Sequence, residues 1–289
     1  MRAAPPASLV PSSLAPACLL AAFSLASPFA ATAAEAGAGV LVPHRAVYDL
    51  ALDRASDRSG ITGIAGRMVY EFAGSPCDGY TVTFRFVTRI DTEGASRLTD
   101  QQTTTYEDGE GRNFSFSTRS FIDREPSSEL RGTARIDRDE TVVSLEKPEK
   151  QEVALEATQF PTRHLKELLA NARKGETFYE STLFDGSDEA DKVMTTTVVI
   201  GKPAKARAND PELAAMGDLA DAPFWPVDMA YFDLSETGAD GEELPTYRIS
   251  FKLYDNGMTR DLVMDYGDFA MSGRLVDLAT FDAPQDCDP

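Results

Sequence analysis

The sequence predicts a mainly β domain built from antiparallel strands with one packed α-helix. Three observations carry that prediction. Apolar and polar residues alternate with period two along most of the chain. Turn signals separate the alternating runs at short intervals. One segment only, near residue 165, changes to helical spacing.

The alternation opens at residues 47–52 and returns at 67–72 after a turn expected at Gly66. The longest run is 80–90, where Tyr80, Val82, Phe84, Phe86 and Ile90 share one face and Thr and Arg occupy most of the other. Runs at 103–106 and 113–117 flank Glu107-Asp108-Gly109, a hairpin signal. Residues 134–136, 141–145 and 152–155 continue the pattern, as expected of meandering strands with one wet and one dry face. Leu165, Leu168, Leu169 and Ala172 then recur at helical spacing, with Thr162 as the expected N-cap and Gly175 closing the helix after Arg173 and Lys174. Strands resume at 177–184 and 193–200. A loop rich in Pro, Ala and Asp follows over 201–223, with at most a helical turn at 212–216. A strand at 225–234 leads to a three-stranded meander of 247–254, 258–266 and 269–281, whose Asn256-Gly257 pair suits a type I′ turn. Nothing marks a boundary between two cores, so residues 35–289 read as one domain.

Residues 1–34 read as a signal peptide rather than as part of the fold. One positive charge at Arg2, an apolar run over 14–30 and the small-residue pattern Ala31-Thr32-Ala33 precede the first acid, Glu35. The run is shorter and more Pro-interrupted than the roughly 20 apolar residues that span a bilayer. Lipidation at Cys18 fits poorly, because Leu19, Leu20 and Phe23 continue the apolar stretch beyond it. The expected location is outside the cytoplasm.

Charge excludes several functions. The 289 residues carry 28 Lys+Arg against 47 Asp+Glu, a formal net charge of −19. Such a chain repels a phosphate backbone, which argues against a nucleic-acid binder, and it should remain monomeric. Three Cys and two His leave few ligands for a metal or haem site, and no cofactor is expected. With Cys18 removed, Cys77 and Cys287 remain, and in an oxidising compartment they most simply form one disulfide, the alternative being two unpaired thiols. Closing a loop of roughly 210 residues is worth roughly 5 kcal/mol in the chain-entropy picture.

No nucleophile-elbow, phosphate-loop, zinc-protease or Cys-x-x-Cys motif occurs, and no catalytic residue is assigned. His44 and His164 read as surface or satisfied polar residues. The run Asp185-Gly186-Ser187-Asp188-Glu189 lacks calcium-loop spacing. Tyr231, Phe232, Tyr247, Phe251 and Tyr254 read as core more than as the lining of a groove, although a sheet too large to fill itself can enclose an apolar cavity.

Several stretches resemble one family. These are Leu41-Val42-Pro43-His44-Arg45-Ala46-Val47-Tyr48, Cys77-Asp78-Gly79-Tyr80, Phe160-Pro161-Thr162-Arg163-His164-Leu165, Phe184-Asp185-Gly186-Ser187-Asp188, Trp225-Pro226-Val227 and Leu253-Tyr254-Asp255-Asn256-Gly257. In order along the chain they resemble the EipB family of periplasmic cell-envelope integrity proteins from alphaproteobacteria. The resemblance implies a β-spiral, an open barrel-like sheet with a packed helix akin to lipoprotein-carrier folds. It also implies a disulfide at the positions of Cys77 and Cys287 and a role in envelope maintenance without an established catalytic activity. The partners it implies are an envelope protein, such as a periplasmic tetratricopeptide-repeat protein, or a lipid or lipoprotein ligand. The alternative reading is a hydrolase that acts on envelope glycan or peptide through paired carboxylates.

Overall fold

The computed structural model describes residues 41–187, 190–233 and 244–282. The chain divides into residues 1–36 and 37–289, and every described residue belongs to the second unit. The expected signal peptide and Cys287 lie outside the described residues.

The first strands are β1 (His44–Ala55), β2 (Ile61–Ser75), β3 (Gly79–Thr92) and β4 (Ser96–Glu107). They continue through β5 (Asn113–Ile122), β6 (Glu125–Asp137), β7 (Glu140–Lys147) and β8 (Gln151–Glu156). Helix α1 (Pro161–Lys174) follows, then β9 (Phe178–Leu183) and β10 (Met194–Ile200). The short helix α2 (Leu213–Met216) precedes β11 (Phe224–Phe232), β12 (Tyr247–Tyr254), β13 (Thr259–Asp265) and β14 (Phe269–Thr280). Among the described residues the strands form one 14-stranded sheet in the order β8-β7-β6-β5-β4-β3-β2-β1-β14-β13-β12-β11-β10-β9. Every neighbouring pair is antiparallel, and only the β1–β14 pairing joins strands distant in sequence.

Strands β8 and β9 are therefore the two edges, and no ladder joins them: the sheet is open. The β9 end instead lies against the inner face of β5–β7. Phe184, which follows β9, meets Phe114 and Phe116 edge-on at ring distances of 6.3 and 5.7 Å, and Phe160 stacks on Phe114 at 5.1 Å. Gly186 makes this approach possible, because its φ is +69° and an added Cβ would sit 2.6 Å from the Phe116 ring.

Three local expectations are corrected. Gly66 is not a turn but lies within β2, paired with Leu50 of β1 and Thr88 of β3. The N-cap of α1 is Phe160, not Thr162; its side chain makes no cap bond, and Pro161 starts the helix. Thr162 is buried inside the first turn, and its N–H donates to Glu107 of β4 at 2.6 Å. The 255–257 turn is not type I′. Gly257 has φ +87° while Asn256 does not share the positive φ that a I′ turn demands at both central residues. The Tyr254 N–H donates to the Met258 carbonyl at 2.9 Å, which encloses a three-residue loop with its glycine in the left-handed position.

Candidate functional site

The inward parity of the strands does not fill the curl of the sheet. A cavity of about 780 Å³ remains between β1–β4 on one side, β10–β13 on the other and α1 across it. Its wall combines the aromatics Tyr48, Tyr70, Phe84, Phe86 and Phe251 with Met68, Met194, Met229 and Met264. Half of the chain's eight methionines are thus spent on this surface. Unbranched thioethers re-pack around guests of different shape, unlike a core of Leu and Val. The volume lies within the roughly 300–1,000 Å³ typical of small-molecule sites.

Helix α1 supplies Pro161, His164, Leu165 and Leu168 to the wall, and it is fixed at both ends and its middle. Glu107 accepts the N–H groups of Thr162 and Arg163 at 2.6 and 2.8 Å, which replaces the missing side-chain cap with a carboxylate from β4. Burial holds Glu107 above the usual carboxylate range despite those bonds. Gln159 donates to Glu167 at 2.6 Å and also bonds Ser181, which ties the helix to β9. At the other end Arg173 donates to the side chain and carbonyl of Asp255 at 2.6 and 2.8 Å. Leu168, Leu169 and Ala172 pack between β2–β3 and β10–β12.

The 201–223 segment, which matches no motif, closes the apolar cluster to which the cavity residues Tyr48, Met68, Leu262 and Met264 belong. Met216 is buried there, with Ala215 and Leu219 against the same cluster. A carboxylate holds the segment down. The Glu212 carboxylate accepts from Arg260 at 2.7 Å and from the N–H groups of Asp261 and Leu275 at 3.1 and 2.6 Å. These N–H groups lie beyond the β13–β14 ladder, whose last pair is Leu262–Gly273. Asp261 itself bulges with φ +54°. Arg260 is wholly buried and also donates to Asp210 at 2.8 Å and to the Tyr254 hydroxyl at 2.7 Å.

Polar groups gather at the cavity's mouth, where Gln101, Ser187, Thr246 and Tyr266 are exposed. An aromatic row crosses four strands there: Tyr231 to Tyr247 at 5.5 Å, Tyr247 to Tyr266 at 5.0 Å and Tyr266 to Phe269 at 5.0 Å. Burial raises the pKa of all five lining tyrosines, Tyr70 to about 12, so each is a neutral hydroxyl at any physiological pH.

The histidines are buried rather than on the surface, and both are satisfied. His44 donates through Nδ1 to the Val42 carbonyl at 2.7 Å and lies 5.8 Å from the Tyr70 ring. His164 reaches Thr196 at 3.3 Å; since Thr196 donates onward to the Ser181 carbonyl, His164 carries its proton on Nε2. Desolvation lowers the pKa of both. Of the five aromatics read as core, Tyr231, Tyr247 and Phe251 line the cavity, and Tyr254 is buried beneath it. Alternation identifies the inward face but not whether that face is filled. Cys77 sits in the exposed β2–β3 turn, where Ser75 donates to Asp78 at 2.9 Å.

Comparisons with known proteins agree with this architecture. The EipB-like family matches residues 35–282. The chain is 54% identical over 255 residues to the cell envelope integrity protein EipB of Brucella abortus (strain 2308), spanning 88% of this chain and 89% of that one. It superposes with TM-score 0.81 and 53% identity on a crystal structure of a beta-barrel-like protein of domain of unknown function DUF1849 from Brucella abortus, covering 85% of this chain and all of that one. With an open antiparallel sheet, a helix across its interior and this extent of identity, the chain belongs to the EipB-like family.

Proposed function

We propose that this chain is a non-enzymatic periplasmic protein that supports cell-envelope integrity by holding a lipidic guest in the cavity of its open sheet. The observation that carries this reading is a cavity of about 780 Å³ walled by aromatic rings and four methionines. The name of the Brucella relative supports the envelope role, and the apolar N-terminal run followed by Ala31-Thr32-Ala33 supports export. A Cys77–Cys287 bridge belongs to the same proposal, with Cys77 presented in an exposed turn and Cys287 near the C-terminus.

Protein purified from a periplasmic fraction and extracted with organic solvent should yield close to one lipid per chain by mass spectrometry. A chain that carries none, and takes up none from mixed lipid vesicles, removes the holding role. Incubation with peptidoglycan should release no fragments; released fragments would establish the hydrolase alternative.

A protein partner is favoured by a separate observation. Phe178 and Val199 face each other across β9 and β10 and are 56% and 49% exposed, at an edge of the sheet. Photocrosslinking from position 178 should capture an envelope protein, a tetratricopeptide-repeat protein among the candidates, whereas crosslinking from the exposed Arg45 should not.

A further inference from the structure

Among the described residues that line it, the cavity has no cation to receive an acidic head group. Among its described lining residues the only fixed charge is Asp185, at the mouth, whose Oδ1 accepts the Ser187 N–H at 2.9 Å. His164, the one imidazole among the described lining residues, is buried, and desolvation lowers its pKa below the usual imidazole value. Every other polar group there is a hydroxyl or an amide: Gln101, Ser187, Thr246 and the tyrosines. Asp185 is near enough to Tyr231 to oppose its ionisation. The chain's net charge of −19 adds a long-range field of the same sign.

We infer that the guest is an amphiphile with an uncharged, hydrogen-bonding head, such as an acylglycerol, and that Asp185 rejects acids and phosphate esters at the mouth. The inference rests on the reading that the cavity holds an apolar guest, and it names that guest's chemical class. An anionic head lodged beside Asp185 would meet a like charge in a partly desolvated site without a compensating partner. A neutral ester or hydroxyl head finds donors and acceptors in the tyrosine row and in Gln101 and Thr246. Rejection by a misplaced charge is a recurrent device of specificity.

The test uses the mature chain at pH 8 with N-phenyl-1-naphthylamine as a neutral reporter and competitors of one chain length: monododecanoylglycerol, dodecanoate and dodecylamine. The monoester should displace the reporter at a concentration about tenfold lower than dodecanoate does. Asp185→Asn should bring the two within about threefold. Equal displacement by ester and acid in the unmodified chain, or a gap that Asp185→Asn leaves intact, overturns the inference and leaves the cavity reading standing. Displacement by dodecylamine far more strongly than by the ester also overturns it, in favour of a cationic head. A reporter that does not bind at all overturns both readings together.

Discussion

Replacing Glu212 by Ala tests how the 201–223 segment is held over the cavity's apolar cluster. The carboxylate serves three donors at once: Arg260 at 2.7 Å, the Leu275 N–H at 2.6 Å and the Asp261 N–H at 3.1 Å. Arg260 has no exposed surface, so its charge cannot turn to solvent when the carboxylate goes. Breaking one arm of a buried ion pair costs about 3–5 kcal/mol. Each backbone N–H left without an acceptor adds about 1–3 kcal/mol. Asp210 and the Tyr254 hydroxyl still engage the guanidinium, so the low end of each range applies and the total is about 5 kcal/mol. For a domain of this size each kcal/mol moves Tm by about 2–4 °C, giving a drop of about 10–20 °C. Differential scanning fluorimetry of the variant and the unmodified chain reads it directly. Glu212→Gln, which keeps an acceptor but loses the charge, should fall between them. A drop below about 3 °C for the Ala variant would refute the assignment of Glu212 as the segment's anchor.

Other expectations follow from the same geometry. Gly186→Ala places a methyl group against the Phe116 ring at a residue with positive φ, so it should cost about 2–4 kcal/mol in a urea melt, whereas Ala at the exposed Gly94, where nothing lies within 4 Å, should cost almost nothing. Cys77→Ser should lower Tm by several degrees and abolish any response to reductant; an unmodified chain indifferent to reductant contradicts the bridge. The histidines give a pH dependence of defined sign. Burial depresses their folded pKa below the unfolded value near 6.5, so the unfolded chain binds more protons in that window. Their contribution is complete above about pH 6.5 and is lost as pH falls through the folded values. Tm measured from pH 7.5 to 5 should therefore decline less steeply in His164→Asn than in the unmodified chain.

The strands and the helix were legible because their signals are local. Tyr80, Val82 and Phe84 announce an inward face by parity alone, and Gly175 with φ +78° ends α1 where its sequence said it would. Features that depend on distant partners were not legible. The overlap of the sheet's ends rests on Phe160 and Phe184 reaching Phe114 and Phe116, and no window of a dozen residues contains that meeting. Thr162 looked like a cap because nothing nearby announces that Glu107 reaches the same N–H groups. A signal for Arg260 was present, since it shares parity with the inward Leu262 and Met264, yet Arg in an alternating strand reads as solvated until Glu212 is seen beside it. Tyr231, Tyr247 and Phe251 read as core although they line the cavity. Filling depends on the curvature of the whole sheet, which no strand encodes by itself.

The claim that the sheet encloses a working apolar site is most directly tested by a crystal of the mature chain soaked with 12-bromododecanol. The account predicts one anomalous bromine peak inside the curl, among Tyr48, Met229 and Leu262, with the hydroxyl end toward Thr246 and Tyr266. Bromine found only on the outer face of the sheet, with the interior collapsed onto its own side chains, would contradict it.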